Sequence, residues 1–207
     1  MENNLKVRKV VREDSKRVWE IRNHHEARKA SNNSEEIPFE KHDHWFVKKY
    51  FASQDNYCLV LDDENGKVVG YCRFDFNEEN KNYITSIAID FDARGKGMGS
   101  FLLKHALEIM DSKKEIVAQT FKKNIPSTKI FQKNGFEIYK DDDDNYYFKK
   151  IINMILPKEF ISSLCCPQRL CRGDLEEIVQ GEKNVLLCKS CGSEYPIIDE
   201  IPVLFPN

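Results

Sequence analysis

The sequence predicts a mixed α/β fold with a second, smaller β module at its C-terminal end. Three observations predict it. Strand-like and amphipathic helical segments alternate from Leu5 to about Phe148. Three consecutive strand-like segments in the middle, two of them joined by Asn65-Gly66, read as an antiparallel meander. Five of the seven cysteines fall between Cys165 and Cys191, in a tail whose β-like pieces are too short to bury a core unaided.

Each element follows from local signals. Leu5 to Val11 reads as a strand. Asp14 stands where a helix N-cap is expected, ahead of Val18 and Ile21, which point to the core with Trp19 beside them. Pro38 suits a first helical turn, so a second helix runs from there to about Tyr50. Strands follow at Tyr57 to Leu61, Val68 to Phe76 and Tyr83 to Asp90. A glycine-rich stretch then opens an apolar helix from about Ser100 to Met110. Ile116 to Thr120 is a strand, and Pro126 to Lys133 a short helix that Asn134-Gly135 ends as a C-cap. Phe136 to Tyr139 and Tyr146 to Phe148 are strand-like, and Asp141 to Asp144 between them is a solvated turn. In the tail, Pro157 to Leu164 fits a short helix. Leu175 to Val179, Val185 to Cys188 and Tyr195 to Ile198 fit short strands.

Length and composition bound the function classes. The 207 residues correspond to about 1.4 average domains. Charged residues make up 32% and hydrophobic ones 41%, with a net charge of -2, which fits a globular chain and argues against a dedicated nucleic-acid binder. No apolar run approaches the roughly 18 residues of a membrane span, and Met1 to Lys6 lacks a hydrophobic targeting region. A cytoplasmic protein is expected, and the odd cysteine count speaks against a disulfide framework. Cys58 and Cys72 sit within strands and read as packing residues.

The strongest motif runs from Ser86 to Ser100, where a strand enters a glycine-rich turn and then a helix. Glycines admit close backbone approach, and the free N–H groups of a helix start favour an anion. Arg94 and Lys96 add positive charge. The spacing matches neither a Rossmann turn nor a P-loop. Arg94-x-x-Gly97-x-Gly99, followed by Asn124-Ile125-Pro126-Ser127, Phe131 and Asn134-Gly135-Phe136, resembles the GNAT-type N-acetyltransferases over about Leu5 to Ile152. The resemblance implies a domain over residues 1–153 with acetyl-CoA as cosubstrate. Ile87, Ala88 and Ile89 would bond the pantetheine arm through their backbone. Arg94, Gly95, Lys96, Gly97, Met98, Gly99 and Ser100 would form the pyrophosphate loop. Asn124 and Ser127 would touch the cofactor near its sulfur, beside Phe131. Many family members carry a tyrosine at that last position, which can protonate the leaving thiolate, and Phe131 has no proton to give.

The acceptor is read from the first third and the meander. Arg22-Asn23-His24-His25-Glu26-Ala27-Arg28, His44-Trp45-Phe46 and Gly70 to Asp75 resemble the subgroup that acetylates nucleotide-linked amino sugars, including the pseudaminic-acid-type enzymes. Arg22, Arg28 and Arg73 then fit the phosphates, with Asn23 beside them, and Trp45 fits a stacking platform. His44 is the first candidate base, and Asp75 and Glu78 are its rivals. The bland readings are solvated helix positions for Arg22 and Arg28, a core anchor for Trp45, and helix-end residues for His24 and His25. A protein N-terminus, lysine or polyamine is the alternative acceptor.

In the tail, Cys188-Lys189-Ser190-Cys191 is a Cys-x-x-Cys knuckle, and sixteen residues separate Cys171 from Cys188. Four thiolates suit tetrahedral zinc. Cys166-Pro167, Gly173-Asp174-Leu175 and Tyr195 to Leu204 resemble the small zinc-ribbon-like activators of tRNA and protein methyltransferases. The resemblance implies a module over 154–207, with Cys166, Cys171, Cys188 and Cys191 as zinc ligands, Cys165 as a spare thiol, and a protein partner. The spacing departs from the usual Cys-Pro-x-Cys, since four residues separate Cys166 from Cys171. A metal-free β module is the alternative. A third reading makes the front domain an acetyl-CoA sensor whose tail recruits a methyltransferase. An oligomer is compatible with the sequence.

Overall fold

The computed structural model describes residues 5–31, 33–110, 114–150, 156, 158–180, 183–198 and 201–205. The chain divides into two compact units, Met1–Ile152 and Asn153–Asn207.

The first unit is built on a seven-stranded sheet. Its strands are β1 (Lys6–Lys9), β2 (Tyr57–Asp62), β3 (Val68–Asn77), β4 (Asn82–Ile89), β5 (Ile116–Phe121), β6 (Glu137–Asp141) and β7 (Asn145–Lys150). Their order is β1-β2-β3-β4-β5-β7-β6. The meander β2-β3-β4 is antiparallel, and the one parallel pair among the described strands is β4 with β5. The helices are α1 (Ser15–Asn23), α2 (His25–Lys29), α3 (Phe39–Tyr50), α4 (Met98–Ile109) and α5 (Ile125–Lys133).

Strand alternation sorts the core into two layers. Leu59, Leu61, Cys72 and Phe74 pack with Leu102, Leu103 and Ala106 of α4 and with Phe131, Phe136 and Phe148. Cys58, Val60 and Tyr71 face the other way, onto Val18 and Ile21 of α1 and Phe46 of α3. Side chains two apart share a face, so one strand feeds both layers. Burial drives the thiol pKa of Cys58 well up and that of Cys72 to about 12, which makes both inert packing groups. The acidic run ends β6 and starts β7. There the Asp142 carboxylate accepts from the backbone N–H groups of Asp144 and Asn145 and from the Tyr147 hydroxyl.

Asp14 departs from expectation. It holds the N-cap position of α1, yet its side chain caps nothing there. Its carboxylate accepts from Arg8 at 2.6 and 3.0 Å and from the Val11 N–H at 2.8 Å. Arg8 also reaches Asp62 at 2.7 and 3.2 Å. One guanidinium therefore neutralises two buried carboxylates and ties β1, β2 and the approach to α1 together. The short α2 was not anticipated. It follows directly on α1, with the His24 side chain as its N-cap.

The second unit holds α6 (Lys158–Ser162), β8 (Leu175–Gln180), β9 (Lys183–Cys188), β10 (Glu194–Ile198) and β11 (Ile201–Pro202). Its antiparallel sheet runs β11-β10-β9-β8. A small core of Leu156, Ile161, Leu175, Leu186 and Tyr195 includes Cys166 and Cys188. No helix among the described residues is long and apolar enough to cross a membrane.

Replacing Arg8 by methionine leaves Asp14 and Asp62 buried without their counter-charge. Partial exposure of the pair tempers the cost, so a loss of about 2 kcal/mol is expected, read as a lower urea midpoint. An unchanged midpoint would refute this account of the network.

Candidate functional site

The site starts from a fork in the sheet. β4 and β5 pair only at Tyr83 with Ile116 and at Ile84 with Val117. Each strand keeps its other neighbour throughout: β4 pairs β3 from Asn82 to Ile89, and β5 pairs β7 from Ile116 to Phe121. Beyond Ile84 the facing edges of β4 and β5 diverge. Strand backbone without a ladder partner needs another one, and the wedge is shaped for an extended ligand arm. The predicted pantetheine contacts Ile87, Ala88 and Ile89 all lie on this stretch of β4. Ile87 and Ile89 also pack toward α4, and Ala88 toward the α1–α3 layer.

The glycine-rich turn closes the wedge. After β4, a 3-10 turn at Phe91–Ala93 leads through Arg94 and Gly95 to Gly97, the N-cap of α4. Gly95 and Gly97 have φ of 79° and 77°, a region where a side chain is strained. Gly99 allows a close approach: a Cβ there would meet the end of the Ile130 side chain of α5 at 2.6 Å, which would have to shift. This close approach sets the α4–α5 groove, with the Asn134 amide donating to Ser100 Oγ across it. Arg94 lies against the Phe91 ring and donates to the Ile89 carbonyl, while Lys96 is exposed. Met98 packs at the edge of the core.

On α5, Asn124 acts as an N-cap, its side-chain oxygen accepting from the Ser127 N–H at 3.2 Å. Phe131 is only 2% exposed. Its ring packs between those of Phe136 and Phe148 at 5.2 and 5.4 Å. It therefore belongs to the core floor rather than to the lining of the groove.

Across the sheet, on the α1–α3 face, five side chains converge. Arg73 donates to Ser86 Oγ at 2.6 Å, pairs with Asp75 at 3.5 Å and lies 5.3 Å from the Trp45 ring. Tyr50 donates to Asp75 at 3.0 Å and meets Trp45 edge-on. Burial holds the Tyr50 hydroxyl protonated by pushing its pKa well up. Burial works against the Arg73 charge, but the surrounding oxygens of Tyr50, Asp75 and Tyr71 outweigh it, and its pKa rises. Ser86 stands where β4 leaves β5, so the cluster adjoins the mouth of the wedge.

Other expected site residues are placed differently. His44 is exposed, about 200° around α3 from buried His42 and Phe46, and so points away from the cluster. Glu78 lies in the β3–β4 turn, where Lys81 bonds it and holds its carboxyl below the ordinary range. Arg22, Asn23 and Arg28 organise the chain ahead of α3. Arg22 donates to the carbonyls of Glu35 and Asn33, Arg28 to that of Ser34, and Asn23 to that of Ile37. Burial lowers the Arg22 pKa, and the nearby Arg73 and Arg28 charges add to this. Sequence reasoning missed Tyr50 and His42. Their only signal is helical spacing, four residues on either side of Phe46.

A scan against family models matches residues 18–136 to the acetyltransferase (GNAT) family. This chain belongs to the GNAT acetyltransferase family. Acetyltransferase PseH of Campylobacter jejuni is 29% identical over 143 residues, covering 65% of this chain and 84% of its own. YwnH of Bacillus subtilis, named as a candidate phosphinothricin acetyltransferase, is 41% identical over 83 residues, 37% of this chain. That match spans about half of YwnH, 51% of its length. Among solved structures, a candidate phosphinothricin N-acetyltransferase is 28% identical with a TM-score of 0.63, covering 73% of this chain and all of that one. The Salmonella typhimurium yncA structure with acetyl-CoA shares the fold at 20% identity and TM-score 0.63, covering 74% and 97%.

The family match ends before the cysteine cluster of the second unit. There the Sγ atoms of Cys166, Cys171, Cys188 and Cys191 all lie within 4.8 Å of one another. Cys166 to Cys191 and Cys171 to Cys188 are both 3.6 Å. A zinc–sulfur bond of about 2.3 Å makes a tetrahedral S···S edge of about 3.8 Å, so the four thiols fit that ion. Cys166 contacts the Tyr195 hydroxyl at 3.0 Å, and the Ser190 N–H points to Cys188 Sγ at 3.4 Å. Hydrogen bonds from Ser193 bring the Cys191 thiol down to about 6. Cys165 is exposed and outside the cluster.

The GNAT loop geometry predicts that Gly97→Glu weakens CoA binding at least about 100-fold, by straining the left-handed N-cap and adding negative charge. Titration calorimetry checks it, and unchanged affinity would falsify the loop assignment. In the second unit, a Cβ on Gly173 would lie 2.3 Å from Ser190 Oγ and 3.0 Å from Cys188 Sγ. Gly173→Ala is expected to lower the melting temperature of this unit, followed by Tyr195 fluorescence in a variant series.

Proposed function

We propose that the protein transfers acetyl from acetyl-CoA to the primary amine of an anionic small molecule, a nucleotide-linked amino sugar. The observation that carries the acceptor class is Arg73, whose guanidinium adjoins the mouth of the wedge with Trp45 beside it. Arg73 has one carboxylate nearby, at 3.5 Å. Among the described residues, Arg22 bonds only neutral oxygens, including the Asn23 side chain. Arg28 has Glu36 no closer than 4.0 Å. Guanidiniums with so few carboxylates close to them favour phosphates over a polycation. Trp45, 36% exposed, offers a face to a base or sugar ring. The likeness to PseH and the acetyl-CoA held by the yncA structure are consistent with this reading.

The chemistry assigned is direct transfer. The neutral amine nitrogen attacks the thioester carbonyl carbon, forming a C–N bond as the carbonyl electrons move to oxygen. Collapse re-forms the carbonyl and breaks the C–S bond, releasing CoA thiolate. The amine proton passes to Asp75, which is held between Tyr50 and Arg73. Backbone N–H groups along the open edge of β4 would stabilise the oxyanion. Phe131 supplies no proton, so the thiolate leaves without its help. Alignment of the two reactants carries much of the rate.

Zinc in the four-cysteine cluster would be structural. Four protein ligands close the coordination sphere, and the ion would cross-link the Cys166–Cys171 loop to the β9–β10 knuckle. This module is assigned to a protein partner.

The acceptor reading is tested by following CoA release with a UDP-linked amino sugar, an α-amino acid, spermidine and an N-terminal peptide. Turnover is expected with the nucleotide sugar, and Arg73→Met should raise its KM about tenfold or more. Activity confined to spermidine or the peptide would sink the anionic-acceptor reading. Elemental analysis of the chain purified without chelator should give about one zinc per chain. A value under about 0.2 would count against the metal.

A further inference from the structure

We propose that α1 couples the two substrate sites, with Arg17, acting through Asp90, as the positioning residue that links the pyrophosphate loop to the acceptor-side segment 33–37. The proposal rests on the reading that acetyl-CoA occupies the loop, and is independent of the acceptor's identity.

The cofactor end of the link is the root of the loop. Arg17 pairs with Asp90 and with Glu20, and its Nε donates to the Val68 carbonyl at 2.9 Å. Asp90 is the first residue after β4, and its N–H donates to the Val69 carbonyl at 2.8 Å. Its own carbonyl accepts from Ala93 at 3.0 Å, which starts the 3-10 turn. The Asp90 and Arg17 side chains are 15% and 25% exposed, so the pair is mostly withdrawn from solvent screening. One residue on, the Phe91 ring stacks on His24 at 5.1 Å and 18°. Arg94 lies against the same ring. A pyrophosphate drawn onto the N–H groups of Gly95 to Gly97 and onto Arg94 acts on a turn whose base is clamped to α1 and its C-cap.

The acceptor end of the link is at the C-terminal half of the same helix. Trp19 Nε1 and Asn23 Nδ2 both donate to the Ile37 carbonyl at 2.7 Å, and the Ile37 N–H donates back to Asn23 Oδ1 at 3.2 Å. Arg22 holds the carbonyls of Glu35 and Asn33. Segment 33–37 thus hangs its backbone on α1, with Arg28 of α2 adding Ser34. This segment leads into α3, which carries Trp45 and Tyr50. A nine-residue helix is stiff over its length. A shift or stiffening of its Arg17 side is therefore felt where the acceptor-side chain is held, which gives a coupling free energy between sites.

The test uses CoA alone and the full chain. Amide hydrogen exchange of residues 33–37 is measured with and without saturating CoA, and CoA affinity is titrated on the same samples. In the wild type, CoA is expected to slow exchange in this segment about threefold or more. In Arg17→Ala, CoA still binds, weakened up to about tenfold, but the slowing in 33–37 is lost. Arg17→Lys retains the charge and should recover part of it. If Arg17→Ala does not fold, Asp90→Asn removes the pair at constant shape and should give the same uncoupling. No slowing in the wild type, or equal slowing in wild type and variants at saturation, overturns the proposal. A wild-type chain that does not bind CoA overturns the cofactor reading, and this proposal with it.

Discussion

The rest of the first unit depends on where β4 and β5 stop pairing. Two residue pairs hold them parallel, and then the strands part while each remains bound to its other neighbour. An open edge inside a sheet is costly unless something fills it. The surrounding structure frames it: Gly99 lets α5 approach α4, and the left-handed Gly97 starts α4 soon after β4 ends. The wedge thus has one wall of strand backbone and a positively charged rim at Arg94 and Lys96, over a core that includes Phe131 and Phe148.

The two core layers explain how one strand serves two chemistries. On β3, Cys72 and Phe74 pack under α4, while Arg73 and Asp75 face α1 and α3. On β4, Ile87 and Ile89 support the cofactor side, while Ser86 meets Arg73. The period-two alternation brings an apolar support and a polar cluster to opposite faces of adjacent residues. Direct transfer then requires donor and acceptor to meet at the open edge where β4 parts from β5, with nothing between the amine and the carbonyl it attacks. The base of the glycine-rich turn then becomes the natural point at which both sides can be held, and Arg17 and His24 occupy it.

Much of this was legible because it rests on local rules. Glycine at positive φ, a strand-to-helix turn, an Asn N-cap and alternating apolar residues each leave a mark in a short window. The polar placements were less legible. Arg22 and Arg28 show why: a guanidinium that clamps a carbonyl and one that clamps a phosphate are the same side chain, and the carbonyls of Asn33, Ser34 and Glu35 that they hold leave no local mark. Asp14 looked like a cap because its position was right, but Arg8 and the Val11 N–H claimed its oxygens. His44 and His42 differ by two residues, and only the phase of α3, fixed by Phe46 packing, decides which one is buried. Tyr50 shares that helical spacing, but its partner Asp75 is 25 residues away in the chain, so their pairing leaves no local mark.

The second unit shows the opposite balance between spacing and geometry. Four residues between Cys166 and Cys171 are unusual for a knuckle, yet the sulfurs converge to 3.6 Å across the two loops. The backbone absorbs the extra length: Leu170 and Arg172 take φ of 72° and 45°, and Gly173 passes so close to Ser190 that no side chain fits. Positive φ at a leucine is strained and persists only where its surroundings over-determine it. Here a sheet of short strands and a core of seven buried residues would have to do so. Four thiols held this close without a shared cation would gain little from their proximity, whereas a bound ion would return the strain as cross-linking of two loops. The strained loop and the converging sulfurs therefore argue for the same occupant.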